Sequence, residues 1–365
     1  MAEPAAARRI VVTSNIRFAP PGVPSAWLRV LDLDSGALLL TTPVPESLFR
    51  AQDPNPRGGQ RGGRGVSTHD GRLVVANAER LFVLDTAWRL VDELSHPLAA
   101  DIHDVLAEER GIWVASTACD ALVLLGWDGE AKDVWTYRSD RKLVKGLGLP
   151  GRSLPRFEPN VDYRDPRNRS DDDDLAHLNS VVRDGDRLLV MLGRIQGMTE
   201  ETWQNAWSAV VELTDGAGPL AKAKSSILCR SDGLTVPNHN AARADGLVVF
   251  NDSNAGRLVA WDPRTNEEHR SVPIPGDPPY ARGLARIGPD RWLVGSQRPL
   301  AVYEVDLGRG EVVADCVFEA VDDECVYAIC VLPDEFVSPP RLEGRGRSAF
   351  WQRATLPTGV TPIPV

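Results

Sequence analysis

Short apolar runs separated by turn residues recur along the whole chain. In one representative copy, the run Ile112-Trp113-Val114-Ala115-Ser116 follows a tight turn at Arg110-Gly111, and Ala121-Leu122-Val123-Leu124-Leu125 leads into a second turn at Asp128-Gly129. Runs of this length, rich in β-branched and aromatic residues and bounded by Gly, Asp and Pro, are typical of β-strands. Since no long stretch follows the period of an amphipathic helix, the pattern predicts an all-β protein.

The third run of the copies shares a signature: an apolar pair, an acidic or aromatic residue, and a turn that contains Asp or Gly. Examples are Val30-Leu31-Asp32, Leu258-Val259-Ala260-Trp261-Asp262 and Val302-Tyr303-Glu304-Val305-Asp306. Four short strands that recur every ~40–50 residues predict a six-bladed β-propeller of four-stranded blades, because one such sheet cannot bury both faces alone. The predicted blades cover about residues 65–96, 103–137, 177–230, 239–274, 282–319, and 327–335 together with 9–45.

The last of these blades is composite. The first copy lacks an innermost strand, and the final apolar run has no outer strands after it, so that joining the two chain ends completes one blade. Such a blade removes free strand edges and locks the ring. We therefore predict one propeller domain over residues 1–336, a lid-like insertion at 138–176, and a Pro-rich C-terminal strap at 337–365.

Polar residues recur where each innermost strand begins. In a propeller these strands line the central channel, and alignment of the copies on the apolar residue two positions later places six polar side chains at one level of its mouth. They are Arg64, His103, Asn179, His239, Arg282 and Tyr327. Channel residues that only fill space are more often Val, Ala, Ser or Gly, so this level is the predicted functional site.

Three kinds of chemistry fit this level. His103, His177 and His239 are candidates to bind a divalent metal, since imidazole suits several transition metals, or to act as acids and bases together with Tyr327. Arg64 and Arg282 are candidates to bind an anionic group through their guanidinium forks. Further predicted substrate-binding residues are Asn179, Asn240 and Trp203. The alternative interpretation is that the polar ring only hydrogen-bonds buried water.

Long loops are predicted on the same face as this mouth. Residues 138–176 lead into the fourth copy, 193–208 join its second and third strands, and 16–26 join the corresponding strands of the composite blade. Long loops in compact folds often bind ligands or act as lids. Their shared face predicts a covered pocket over the channel, whereas the acidic run at 171–174 lacks a calcium-loop pattern and is expected to be a solvated loop.

Composition and motifs limit which classes of partner and cofactor are expected. The net charge of −10 argues against a phosphate-backbone binder, and no apolar run is long enough for a membrane span. The five scattered cysteines favour reduced thiols, and no signal peptide is recognisable, so a cytoplasmic protein is expected. No Walker loop, Gly-x-Ser-x-Gly or dinucleotide fingerprint is present, so neither a nucleotide nor a flavin cofactor is expected. We therefore expect a small-molecule partner, with no role for nucleic acid or membrane.

The repeats resemble those of six-bladed propellers that include gluconolactonase-like and strictosidine-synthase-like proteins. The segments His177-Leu178-Asn179-Ser180-Val181 and Asn238-His239-Asn240-Ala241 also resemble a bacterial propeller family without an assigned function. The first resemblance implies a divalent metal at the channel mouth on carboxylate and Asn ligands, for which Asn179 is the best match. Because Arg and His occupy positions where an acidic ligand is expected, propeller lyases with a His-rich metal site or a His/Tyr base are a closer chemical match.

Two functions follow as hypotheses. The first is a small-molecule enzyme with its site at the channel mouth: a metal-assisted or His/Tyr acid–base lyase, isomerase, cyclase or hydrolase that acts on an anionic or carbonyl-bearing substrate. The second is a non-catalytic propeller that binds a ligand or peptide at the same mouth. Fold resemblance alone does not choose between them.

Overall fold

The described part of the chain contains twenty-four strands, which form six four-stranded antiparallel sheets. The structure is a computed structural model, and it describes residues 8–20, 22–53, 62–149, 154, 157–170, 173–195, 206–214, 220, 223–321, 323–342 and 350–352. The innermost strands of neighbouring sheets contact one another around a closed ring. The predicted all-β, six-bladed propeller is confirmed.

Five of the six blades are simple meanders whose strands follow one another in sequence. In chain order the strands are β1 (Arg9–Ile16), β2 (Ala26–Asp32), β3 (Leu38–Pro43), β4 (Val66–His69), β5 (Arg72–Ala76), β6 (Leu81–Asp85), β7 (Leu90–Leu94), β8 (Ile102–Glu108), β9 (Gly111–Ser116), β10 (Ala121–Leu125), β11 (Ala131–Trp135), β12 (Leu178–Asp184), β13 (Arg187–Ile195), β14 (Trp207–Thr214), β15 (Lys224–Ser231), β16 (Asn238–Ala244), β17 (Leu247–Asp252), β18 (Arg257–Asp262), β19 (Glu267–Pro273), β20 (Arg282–Arg286), β21 (Arg291–Gly295), β22 (Ala301–Asp306), β23 (Glu311–Val317) and β24 (Glu324–Val331).

The composite blade has the strand order β24-β1-β2-β3, as predicted. Its innermost strand begins at Glu324, earlier than the predicted position 327. The buried Glu324 carboxylate accepts hydrogen bonds from Ser14 on β1 and, at 2.5 Å, from Arg29 on β2. A paired charge can be buried where an isolated one cannot.

The hydrophobic core lies between the blades. One cluster joins the faces of two neighbouring sheets and includes Trp113, Leu124, Val190 and Val211, all essentially inaccessible to solvent. The same arrangement recurs around the ring, for example where Val249 and Ala260 pack against Trp292 and Tyr303. Because the middle strands bury both faces, they read as continuous apolar runs rather than as alternating ones.

A β-bulge recurs near the start of the innermost strands. The pairing register shifts there in five of the six blades, which leaves one residue of the inner strand without a direct partner. The unpaired residues are His103, Asn179, Asn240, Gly283 and Tyr327. Bulges re-aim side chains at sheet edges and near sites. The bulged residue is the predicted ring residue itself in three blades and the residue directly after it in two, Asn240 and Gly283.

Two segments pack on the outside of the propeller. Within 138–176, a short helix α1 (Arg141–Gly146) buries Leu143 and Val144 against the fourth blade, and its capping residue Asp140 binds Ser225 on β15. In the C-terminal segment, the indole of Trp351 donates to the Pro43 carbonyl at 2.6 Å and its ring packs on Phe82. The lid and strap roles of these segments stay predictions. No helix among the described residues is long and apolar enough to cross a bilayer.

Candidate functional site

Three histidines from consecutive blades converge at one mouth of the channel. His103 and His239 are the second residues of β8 and β16, and His177 directly precedes β12 in a left-handed backbone conformation (φ 52°). One ring nitrogen of each lies within 4.8 Å of the others. The ring centroid of His103 is 4.8 Å from that of His177 and 6.4 Å from that of His239. Residues more than sixty positions apart in sequence are thus neighbours because the repeats stack in phase.

Each imidazole is held through Nδ1. The Nδ1 of His103 donates to the Asp101 carbonyl at 2.8 Å, and that of His177 donates to the Asp174 carboxylate at 3.0 Å. The Nδ1 of His239 hydrogen-bonds the Ser253 hydroxyl at 2.8 Å. The acceptors at Nδ1 of His103 and His177 favour the tautomer with a lone pair on Nε2, which is the usual arrangement around histidines that bind metals. The Ser253 hydroxyl can donate or accept, so it orients the His239 ring in either tautomer.

The environment keeps two of these rings neutral. Burial lowers the pKa of His103 well below its ordinary value, and the charge of Arg64 adds to that effect. Burial likewise lowers the pKa of His239 well below its ordinary value, with the charge of Arg282 as the next cause. The Nε2 of His239 is buried and has no hydrogen-bond partner among the described residues. A buried, neutral nitrogen without a partner is a group that a ligand would satisfy.

Two arginines contact Tyr327, the aromatic neighbour of His103. Arg64 donates from Nη1 to the Tyr327 hydroxyl at 2.5 Å and from Nη2 to the Asp101 carboxylate at 2.6 Å. The guanidinium carbon of Arg282 lies 3.5 Å from the centroid of the Tyr327 ring. Burial raises the pKa of Tyr327, against the opposing charges of both arginines. Tyr327 is therefore a protonated hydroxyl at neutral pH, 5.8 Å from the His103 ring between centroids.

The remaining predicted residues have different positions. Asn179 donates to the Asn238 carbonyl at 2.7 Å, and its own buried amide oxygen has no partner in the described part of the chain. Asn240 is used within the scaffold, since its amide oxygen accepts from the Gly283 backbone at 2.9 Å. Trp203 lies outside the described residues. Asn179 thus contributes an available oxygen to the ring, whereas Asn240 joins two blades.

Sequence reasoning missed the residues that hold the histidines. Asp101, which precedes β8 in a left-handed conformation (φ 42°), contacts both Arg64 and His103. The expectation that the acidic run at 171–174 is a solvated loop is wrong for Asp173, which is buried, and for Asp174, which binds His177. Residues 171 and 172 lie outside the described residues. For one of these residues the sequence did contain a signal: Asp174 precedes His177 by three positions, a spacing that allows the two side chains to meet across a turn.

A cavity of about 250 Å³ continues down the channel beyond the histidines. Its walls are mostly Val, Leu, Ile and Ala side chains from all six innermost strands, and its lining carboxyl group belongs to Asp104. The Asp104 oxygens accept from the Val105 and Val181 backbone N–H groups. Burial raises the pKa of Asp104 to about 7. The channel is thus polar at the histidine mouth and largely apolar below it.

Comparisons with solved structures identify relatives in fold. A protein of unknown function from Bacteroides caccae is 10% identical, with a TM-score of 0.53 over 89% of this chain and 99% of that one. A chain of the nidogen/laminin complex is also 10% identical, with a TM-score of 0.53 over 91% of this chain and 99% of that one. No protein-family model and no curated protein matches the sequence. These likenesses support the six-bladed propeller and carry no information about the reaction.

The site therefore combines two chemical halves. Three imidazoles offer ring nitrogens, which can coordinate a metal or accept protons. Arg64, Tyr327 and Arg282 offer donors and positive charge. A small molecule between these halves would have one group facing nitrogen lone pairs and another facing guanidinium N–H groups.

Proposed function

We propose that this protein is a small-molecule enzyme whose site is the channel mouth, with His103, His177 and His239 as ligands of a divalent metal. Its reaction would be that of a lyase, isomerase, cyclase or hydrolase on an anionic or carbonyl-bearing substrate. The observation that carries the proposal is the convergence of the three imidazoles, each tied at Nδ1 to a separate partner.

The residues fit a metal in donor type and protonation. Zinc, iron, copper, nickel and manganese accept imidazole nitrogen, and only neutral imidazole can coordinate, as the lowered pKa values of His103 and His239 favour. Three nitrogens on zinc lie roughly 3.3 Å apart, so the nitrogens that now lie within 4.8 Å would move slightly inward. The buried Nε2 of His239 would gain the partner that it lacks.

The chain's own residues would divide the remaining work. Tyr327, protonated at neutral pH, would donate a proton to the substrate, and Arg64 would hold its hydroxyl in place. Asp101 positions Arg64 and His103 together. A bound metal would supply Lewis acidity toward a carbonyl or hydroxyl oxygen of the substrate. Elimination, isomerisation, cyclisation and hydrolysis all use these elements.

Metal analysis of protein purified without a histidine tag tests the proposal. The expected result is near-stoichiometric metal in the native protein, retained in His269→Ala and lost in His103→Ala and His239→Ala. His269 is a matched control, since it is exposed on β19. If the tag-free protein takes up none of the candidate metals after dialysis against each, the metal version is wrong. A metal-free acid–base enzyme would then be sought by substrate screening, with Tyr327→Phe as the diagnostic variant.

The second hypothesis, a non-catalytic ligand-binding propeller, uses the same residues. It predicts saturable ligand binding without turnover, and turnover lost in Tyr327→Phe would exclude it. In both hypotheses the partner binds at the mouth: a small molecule in the first, and a ligand or peptide in the second.

A further inference from the structure

We propose that Arg282, assisted by Arg17, is the anion-binding side of this site and that the anion is a carboxylate. The proposal deepens the proposed function because it names the substrate class of the same site. It assigns different roles to the two arginines that the sequence pairs together: Arg64 organises the scaffold, and Arg282 binds the ligand.

Arg64 is occupied. One of its Nη atoms donates to the Tyr327 hydroxyl and the other to the Asp101 carboxylate, so the fork needed for a bidentate anion is already used within the protein. The guanidinium carbon of Arg64 lies 5.0 Å from the Tyr327 ring centroid, toward its hydroxyl end. Its role is to hold Tyr327 and Asp101.

Arg282 is held differently. Its guanidinium carbon packs 3.5 Å from the Tyr327 centroid, a contact that orients the plane of the group while leaving its N–H edge for hydrogen bonding. The Tyr280 hydroxyl also interacts with Arg282. Among the described residues Arg282 forms no ion pair with a carboxylate, although 92% of its surface is removed from solvent.

Arg17 extends this positive surface. It stands on the loop after β1, with its guanidinium carbon 5.6 Å from the Tyr280 ring centroid. The charges of Arg17 and Arg282 both lower the pKa of His239, so both guanidinium groups lie within electrostatic reach of that histidine. Arg17, Tyr280, Arg282, Tyr327 and Arg64 thus alternate cation and ring along one side of the mouth.

The balance of charge calls for an anion. Asp101 neutralises Arg64, and the Asp104 carboxyl, which also feels the charge of Arg282, is held below the mouth by two backbone N–H groups. Histidine side chains and a divalent metal supply no negative charge. A planar guanidinium edge matches a planar carboxylate in a bidentate pair. Sites for phosphate usually add backbone N–H groups from a helix N-terminus or a nest.

Calorimetric titration with pyruvate tests the assignment, with pyruvamide as the neutral isostere and inorganic phosphate as the competing anion. We expect pyruvate to bind more tightly than both. Arg282→Gln should weaken pyruvate binding by about 10- to 100-fold, the range for a charge-assisted pair. Arg282→Lys should retain part of it, since it keeps the charge and loses the fork. Arg286→Gln is the matched control, because Arg286 is exposed at the far end of the same strand.

The titrations are repeated on chelator-treated and metal-supplemented protein, with metal content measured in every variant. Arg282-dependent pyruvate binding without any bound metal would support this inference and count against the metal site. Metal binding with equal affinity for pyruvate and pyruvamide, or with wild-type affinity in Arg282→Gln, would overturn it. Tighter binding of phosphate, or no pyruvate binding up to its solubility limit, would also overturn the carboxylate assignment.

Discussion

Asp120 decides where His177 lies, and replacing it tests how the site is built. Asp120 is fully buried at the end of a short turn after β9, in a left-handed conformation (φ 48°). Its carboxylate accepts from three backbone N–H groups that flank His177: those of Leu175 (2.7 Å), Ala176 (2.8 Å) and Leu178 (3.1 Å). One side chain therefore fixes the whole approach to β12.

The magnitude follows from two opposing effects. Asp120→Ala leaves three buried N–H groups without an acceptor, at about 1–3 kcal/mol each, or roughly 6 kcal/mol together. It also removes the acceptor of the Tyr137 hydroxyl (3.1 Å) and the ion pair with the buried Arg138 (3.4 Å). Burial and the nearby charge of Asp174 raise the pKa of Asp120, so its ionised form is itself costly to bury, and the substitution returns part of this loss. The expected net loss in the free energy of unfolding is therefore ~3 kcal/mol.

Urea unfolding and metal titration together form the assay. We expect Asp120→Ala to lose ~3 kcal/mol and to bind metal 10- to 100-fold more weakly, the range for residues that orient a ligand. Asp186→Ala removes an exposed acidic side chain at the β12–β13 turn and should stay within ~0.5 kcal/mol of the wild type. If Asp120→Ala were as stable as Asp186→Ala and bound metal normally, the proposed control of His177 by Asp120 would be refuted.

Three further predictions concern other parts of the molecule. Arg29→Met leaves the Glu324 carboxylate buried in the composite blade and should lower the free energy of unfolding by about 3–5 kcal/mol in urea; a loss below ~1 kcal/mol would contradict the role of this pair. Ser253→Ala frees Nδ1 of His239 and should weaken metal binding by roughly 10- to 100-fold in a chelator competition, with little change in stability. Because the folded pKa of Asp104 (about 7) lies above its unfolded value near 4, the contribution of Asp104 to stability is full below pH ~4 and declines by up to ~4 kcal/mol as the pH rises to ~7. Unfolding free energies measured across this range should therefore fall less steeply in Asp104→Asn, and equal slopes would contradict the burial of this carboxyl group.

The local pattern of apolar runs and turns was enough to predict the propeller architecture. Runs such as Ile112-Trp113-Val114 and Leu258-Val259-Ala260 are short and apolar and end in turns, and their repetition identifies blades because each sheet must bury both faces against neighbours. The repeat phase also placed Arg64, His103, His239, Arg282 and Tyr327 near one mouth, where the structure has them.

Side-chain partners could not be predicted in the same way. Whether Arg64 binds a ligand or Asp101 depends on the left-handed turn at Asp101 and on the ring that brings the composite blade beside it. The interpretation of 171–174 as a solvated loop failed at Asp173, which is buried, and at Asp174, which hydrogen-bonds His177. Such contacts join positions far apart in the chain, and no local periodicity records them.

The sequence by itself determined the strands, the number of blades, the closure by both chain ends and the polar character of the channel mouth. Short apolar runs, the turns between them and the distance between repeats can all be found along the sequence without knowledge of tertiary contacts. Tertiary structure alone decided which partner holds the Nδ1 of each histidine and that Asp101, Asp120, Asp174 and Ser253 support the site. It also decided that Arg64 pairs with Asp101, whereas Arg282 forms no ion pair in the described part of the chain. The physical reason is that burial, charge and hydrogen bonding at the mouth arise only when six separate strands meet around one axis.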